Sequence, residues 1–150
     1  MASPEDFCDV FEELRRAGLP YVVVGGVAVV LHGYRRSVLD LDISVSSNPN
    51  DANLTMQALM MRGFVASIPL PLNMVTVLRM FDASGREVDL VVRALVSFDE
   101  LWPDSIERPV GNTVARVASL SKLIRWKQMR HRPDDIEDIE GLKQITQFTG

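Results

Sequence analysis

The chain has one cysteine, Cys8, in 150 residues, so no disulfide can form within it and a reducing cytoplasm is the expected setting. Cys8 itself reads as a small hydrophobe on a first helix. There is no basic excess either: 16 lysines and arginines stand against 20 acids, a net charge of −4. That balance excludes wholesale electrostatic binding of nucleic acid and leaves room only for a local basic patch. Long apolar runs are missing as well. The longest, "YVVVGGVAVVL", is too short to span a bilayer and is split by glycines, so no membrane partner is expected. The opening "MASPEDFCDV" has neither the basic start nor the apolar stretch of a secretory signal. Repeats, low-complexity tracts and linkers are absent, and 150 residues suit one domain with a buried core. What is present is an ordinary globular composition, 47% apolar and 24% charged.

Periodicity places the elements. Ser3-Pro4-Glu5-Asp6 reads as a helix start, with a capping hydroxyl, an early proline and acids where the dipole favours them. Phe7, Val10, Phe11 and Leu14 then recur at helical spacing as far as about Arg16. Tyr21 to Val24 is a β-branched strand, and Val27 to Leu31 a short helix. Leu39 to Val45 alternates, with Leu41, Ile43 and Val45 on one side and Asp40, Asp42 and Ser44 on the other. A helix over 51–62 follows, then strands over 74–81 and 87–93 around the turn "DASGR". Helices over 97–101 and 119–130 come next, and a last helix from Pro133 with Ile136, Ile139, Leu142 and Ile145 along one stripe. The expectation is an α/β (α+β) domain: a core over about 20–95 built on a small mixed sheet, and a helical C-terminal part over about 97–147.

Three places in this chain concentrate chemistry. Asp40 and Asp42, at i and i+2 of a strand, share a face with their roots about 6–7 Å apart. Carboxylates that close repel, and a hard divalent cation would neutralise them, whereas an acidic solvent face is the plain alternative. Asp89 then interrupts the apolar strand "EVDLVV"; beside Asp40 and Asp42 it would complete a three-carboxylate site able to hold two metal ions. Gly25-Gly26 ends the first strand and feeds a helix, a junction where backbone amides can approach a polyphosphate. It is neither a Walker loop nor a dinucleotide fingerprint, since the partner residues of both are missing. Arg36, just before the aspartate pair, could meet a phosphate or pair with an acid. Lys127 lies on the apolar stripe of its helix with Leu120, Leu123 and Ile124, so it either reaches an anion across the cleft or bridges to Asp135 or Asp138. For His32 a helix-end cap is the simpler role. The cluster Arg125, Lys127, Arg130, His131 and Arg132 could touch RNA, with Trp126 as a stacking face, or be a solvated face answered by the acids of 134–140.

Taken together, "VVVGGVAVVLHGYRRSVLDLDI" and "REVDLVV" resemble the nucleotidyltransferase (polymerase-beta-like) superfamily, especially its minimal single-domain and AbiEii-like members. "VASLSKLIRWKQMRHRPDDIEDIEGL" extends the likeness, which covers about residues 20 to 145. The resemblance implies the nucleotidyltransferase fold and transfer of a nucleoside monophosphate from an NTP, ATP among them, to a hydroxyl of RNA or tRNA, protein or a small molecule. It implies Asp40, Asp42 and Asp89 as catalytic ligands of Mg²⁺ or Mn²⁺, the last also activating the acceptor. Gly25 and Gly26 would hold the triphosphate, with Arg36 and Lys127 as further nucleotide-binding residues. A toxin with a cognate antitoxin and a homodimer completing the cleft are further implications. Val38 departs from the pattern, because many relatives have a hydroxyl residue there. The alternative is a module that keeps the fold, binds Mg-nucleotide and transfers nothing. A haloacid-dehalogenase phosphatase also uses a motif like "DLDIS", but directly after a long apolar strand, which Arg35-Arg36-Ser37 here preclude.

Overall fold

Four consecutive β-branched or aromatic residues without alternation require a strand covered on both faces, and the first strand is one. In the computed structural model, which describes residues 2–46, 48–70 and 74–149 (without the side chains of 146–149), Tyr21–Val24 forms β1, buried throughout. Val23 enters the main core, while Val22 and Val24 enter a second, smaller cluster. The N-terminal helix begins as a 3-10 turn, Pro4–Phe7, capped by Ser3 and Asp6, and continues as α1, Cys8–Arg16. Phe7, Val10, Phe11 and Leu14 are fully buried, as their spacing predicts. At about 1.5–3 kcal/mol for each buried large apolar side chain, this one stripe anchors α1 on the sheet.

After β1 come α2 (Gly25–Leu31), β2 (Asp40–Val45), α3 (Pro49–Met61) and β3 (Val65–Ala66). Then follow β4 (Val77–Phe81), β5 (Glu87–Val91), α4 (Phe98–Leu101), β6 (Ile106–Val110), β7 (Thr113–Val117), α5 (Leu120–Arg130) and α6 (Pro133–Thr149). Among the described residues one sheet of seven strands runs in the order β3-β4-β5-β2-β1-β7-β6. It is mixed: β2 pairs parallel with β5 and β1 with β7, and the remaining neighbours are antiparallel. The α/β architecture expected from the sequence is the one observed.

The C-terminal part departs from expectation. Residues 106–117 are not helical; they form a β6–β7 hairpin that extends the sheet beside β1. Thr113, Ala115 and Val117 point into the core with the alternation of a strand. The signal is weak because Pro109 sits in β6, which only an edge strand tolerates, and β6 is an edge. In α6 the expected stripe is buried only in part. Leu142 enters the core and Ile145 packs against it, but Ile136 is half exposed, and Asp135 and Asp138 are buried instead.

The two faces of the sheet are filled unequally. The larger cluster takes Leu41 and Ile43 from β2 and Val88 and Leu90 from β5. Among the described residues the other face carries the small cluster around Leu101, Ala118 and Trp126. Asp40, Asp42 and Asp89 lie on this thinly covered face, which leaves a cleft above them.

Candidate active site

Register brings the carboxylates together. β2 and β5 run parallel with Asp42 opposite Asp89 and Asp40 opposite Glu87, so strand alternation turns Asp40, Asp42 and Asp89 toward one point. Each offers an oxygen within 4.8 Å of the others'. Asp89 is 6% exposed, and its Oδ1 is buried without a hydrogen-bond partner among the described residues. Burial pushes the Asp42 carboxyl up to about 7, helped by the charge and hydrogen bond of Asp40. Asp89 is pushed up to about 10, again first by burial, then by hydrogen bonds with Asp40 and Glu87 and the nearby charges. Among the described residues none of the three has an ion-pair partner within 4.0 Å. Clustered oxygen donors, one buried and two half-buried, with one orphaned lone-pair atom and no ion-pair partner among the described residues, fit a hard divalent cation, which supplies the missing positive charge.

The glycines belong to the same place. β1 pairs antiparallel with β2 so that Val24 faces Asp42, which sets Gly25 over the Asp42 carboxylate. Gly25 has φ +70, a left-handed conformation that glycine adopts freely. A Cβ there would lie 2.2 Å from Asp42 Oδ2 and 3.0 Å from its Cγ. Both glycines fall inside the first turn of α2 rather than ahead of it. At Gly26 a Cβ would sit 3.3 Å from Val38 Cγ1 and 3.5 Å from the Arg36 guanidinium carbon. Val38 is itself a core residue, 2% exposed, so its apolar side chain has a packing role where a hydroxyl was expected.

Gly25, Gly26, Arg36, Asp40, Asp42 and Asp89 all line one cleft of about 390 Å³. Arg36 also pairs with the buried Asp138 of α6. Lys127 does not line this cleft. It is 1% exposed and lies between Asp135 and Asp138, at 3.3 and 3.0 Å. Of the two roles open to it in the sequence, the structure places it in the helix-to-helix bridge, because α5 turns the stripe that holds it toward α6. His32 caps the end of α2 and meets the Ala118 carbonyl at 2.8 Å. The basic cluster of α5 is largely answered by acids: Arg130 by Asp135 and Arg125 by Glu100. Trp126 is 7% exposed and packs in the small cluster while also lining the cleft.

Arg79, which lines the cleft from β4 directly across from Asp89, and Arg93 were missed in the sequence. Arg130 and Arg132, which line it from the end of α5 and the loop after it, were read there only as part of a cluster that touches RNA or faces solvent. The alternation of "VLRMF" marks Arg79 as facing away from the core, but only the β4–β5 register reveals which carboxylate it opposes. A larger hollow of about 740 Å³ lies between α1 and α3, lined by Leu54, Met60 and Met61. Its charged rim residues are already paired, Glu13 with Arg62 and Arg16 with Glu12, so the chemistry sits in the smaller cleft.

The same arrangement of strands and helices recurs in solved structures. A lincosamide antibiotic adenylyltransferase, LnuA, solved with lincomycin bound, superposes with a TM-score of 0.67 at 17% identity, over 97% of this chain and 98% of its own. The fold is that of the nucleotidyltransferases. ANT(2")-Ia, solved in complex with adenylyl-2"-tobramycin, gives a TM-score of 0.69 at 15% identity, over 98% of this chain and 89% of its own. An antigenic nucleotidyltransferase-like protein from Paracoccidioides brasiliensis gives 0.63 at 18% identity, over 93% and 75%. No protein-family model matches the chain, and no curated protein matches it by sequence. The nucleotidyltransferase fold is thus the part of the sequence resemblance that these likenesses carry, and among the described residues no helix is long and apolar enough to cross a membrane.

Proposed function

We propose that the chain is a metal-dependent nucleotidyltransferase that moves a nucleoside monophosphate from an NTP to a hydroxyl acceptor. The observation that carries this reading is the convergence of Asp40, Asp42 and Asp89 to within 4.8 Å beneath a glycine that only the absence of a side chain allows over Asp42. In this reading Asp40, Asp42 and Asp89 hold Mg²⁺ or Mn²⁺. Bound there, a divalent ion neutralises charge on the triphosphate and lowers the pKa of the acceptor hydroxyl. Gly25 and Gly26 let backbone approach the β- and γ-phosphates without a side chain in the way. Asp89, deepest of the three and facing the cleft, would in its charged form take the proton from the acceptor hydroxyl. The acceptor oxygen bonds to the α-phosphorus, the bridging bond to the β-phosphate breaks, and pyrophosphate leaves.

The acceptor this cleft favours is a small hydroxylated molecule. Lys127 is buried and Arg125 pairs with Glu100 of α4, so among the described residues the α5 cluster is not a continuous basic face for an RNA backbone. The cleft also carries apolar side chains that stand in solvent, Leu39 at 80% and Leu95 at 50% exposed. The solved neighbours that hold lincomycin and an adenylylated tobramycin are consistent with this class of acceptor.

The test is transfer of α-labelled NTP, each of the four in turn, to panels of hydroxylated antibiotics, other small alcohols, total tRNA and protein, with Mg²⁺ or Mn²⁺. Labelled product that disappears with Asp42→Asn supports the reading. Metal-dependent NTP binding without transfer to any panel would assign the chain to a non-catalytic binding module instead.

A further inference from the structure

The buried ion pairs of the last two helices form one connected chain of charges, and both of its ends open into the cleft. Arg130 donates from Nη2 and Nε to the two oxygens of Asp135, at 2.6 and 2.9 Å, a bidentate pair. Lys127 Nζ lies 3.3 Å from Asp135 and 3.0 Å from Asp138. Asp138 in turn holds Arg36. Arg36 stands on the wall next to Gly26, and Arg130 on the side where its charge acts on Asp42. Between them Lys127, Asp135 and Asp138 are 1%, 0% and 3% exposed. Tyr34 locks the Arg36 loop to α6 as well: it packs so closely on Gly141 that a Cβ there would be 2.3 Å from the ring.

We infer that Lys127 is a positioning residue, whose buried ammonium fixes Asp135 and Asp138 so that they hold Arg130 and Arg36 at the cleft to receive a polyphosphate. This rests on the nucleotide-binding reading and replaces the direct phosphate contact expected for Lys127. The charge count supports it. Three cations, Lys127, Arg36 and Arg130, share two carboxylates, so the connected set carries one positive charge in excess. The ammonium does not line the cleft; it offsets the two carboxylates that hold the guanidinium groups that do. A neutral residue in its place leaves two facing carboxylates with no cation between them, and each can pull its arginine inward or release it.

The experiment measures binding of inorganic tripolyphosphate and of the four Mg-NTPs by calorimetry, with the four nucleoside monophosphates as controls. Lys127→Met is expected to weaken tripolyphosphate and NTP binding about tenfold, the size of one weak charged hydrogen bond, and to leave monophosphate binding unchanged. Asp138→Asn and Arg36→Ala should each lose affinity to the same extent, and the double variant no more than either. That cycle decides the matter even where Lys127→Met does not fold. A Lys127→Met protein with a lower Tm and wild-type tripolyphosphate affinity overturns the inference, because Lys127 then only joins two helices. So does a loss with Lys127→Met that neither Arg36→Ala nor Arg130→Ala reproduces, which would make the lysine a direct ligand. Wild-type protein that binds no tripolyphosphate and no Mg-NTP overturns both this inference and the nucleotide reading, whereas the other two outcomes leave that reading intact.

Discussion

Replacing Gly25 with alanine separates two physical costs that the structure assigns to this one position. The first is conformational. With φ at +70, an alanine pays for left-handed backbone, about 1–2 kcal/mol, and recovers about 0.4–1 kcal/mol because the unfolded chain becomes less flexible. The second is steric. The new Cβ would lie 2.2 Å from Asp42 Oδ2, and rotating the carboxylate does not clear it, since Asp42 Cγ and Cβ remain at 3.0 and 3.2 Å. Overpacking of this kind costs about 1–3 kcal/mol. Gly63 supplies the control: its φ is +88, and a Cβ there meets nothing within 4 Å. Urea unfolding should therefore show a loss of about 1 kcal/mol for Gly63→Ala and about 2–4 kcal/mol for Gly25→Ala, at unchanged m. Gly25→Ala should also abolish the rise in Tm that Mg²⁺ or Mn²⁺ gives the wild type, because the displaced Asp42 no longer meets Asp40 and Asp89; Gly63→Ala should keep it. Equal losses for the two variants, or a metal response that survives Gly25→Ala, would refute the placement of this glycine on the carboxylate.

Other consequences follow from the same geometry. Metal affinity should rise between pH 6 and 8 with protons released on binding, because the carboxyls of Asp42 and Asp89 are held up at about 7 and about 10 and must lose their protons to coordinate; calorimetry in two buffers of different ionisation heat reads this. Burial pushes Asp135 up, but hydrogen bonds from Arg130 and the Arg132 amide, with the charges of Arg130 and Lys127, outweigh it and leave the carboxyl at about 2. Its folded pKa thus lies below the unfolded value of about 3.9, so its contribution of about 2 kcal/mol is complete above pH 4 and lost as pH falls toward 2; Asp135→Asn should flatten that acid limb of stability. Gly141→Ala should cost about 1–3 kcal/mol against the Tyr34 ring, and combining it with Tyr34→Ala should cost less than the two losses added, with a coupling of at least about 1 kcal/mol in urea unfolding.

The site was legible to the extent that it depends on strand alternation. "LDLDIS" fixes which way Asp40 and Asp42 face, and a lone aspartate in "EVDLVV" is conspicuous because charge is costly in an apolar strand. Their meeting depends on the parallel pairing of β2 with β5, which single-strand patterns do not encode but the family resemblance implies. The fold's remaining surprises have the same cause. β7 adds parallel to β1 across a long stretch of sequence, and Pro109 disguises β6 as a loop. Lys127 shows the limit most clearly. Its spacing put it on a buried stripe, yet the same spacing served a phosphate ligand and a helix bridge equally, and only the packing of Asp135 and Asp138 against it decides. Arg79 and Arg130 reach the cleft by register and by a helix end, neither of which a motif marks.

The central claim is a metal-dependent nucleotide site on three aspartates, and one titration addresses it directly. A non-hydrolysable NTP analogue is titrated into wild-type protein and into Asp42→Asn, each with Mn²⁺ and with EDTA. Binding is expected only for the wild type with Mn²⁺. Nucleotide binding of equal strength in EDTA, or in Asp42→Asn, would contradict it.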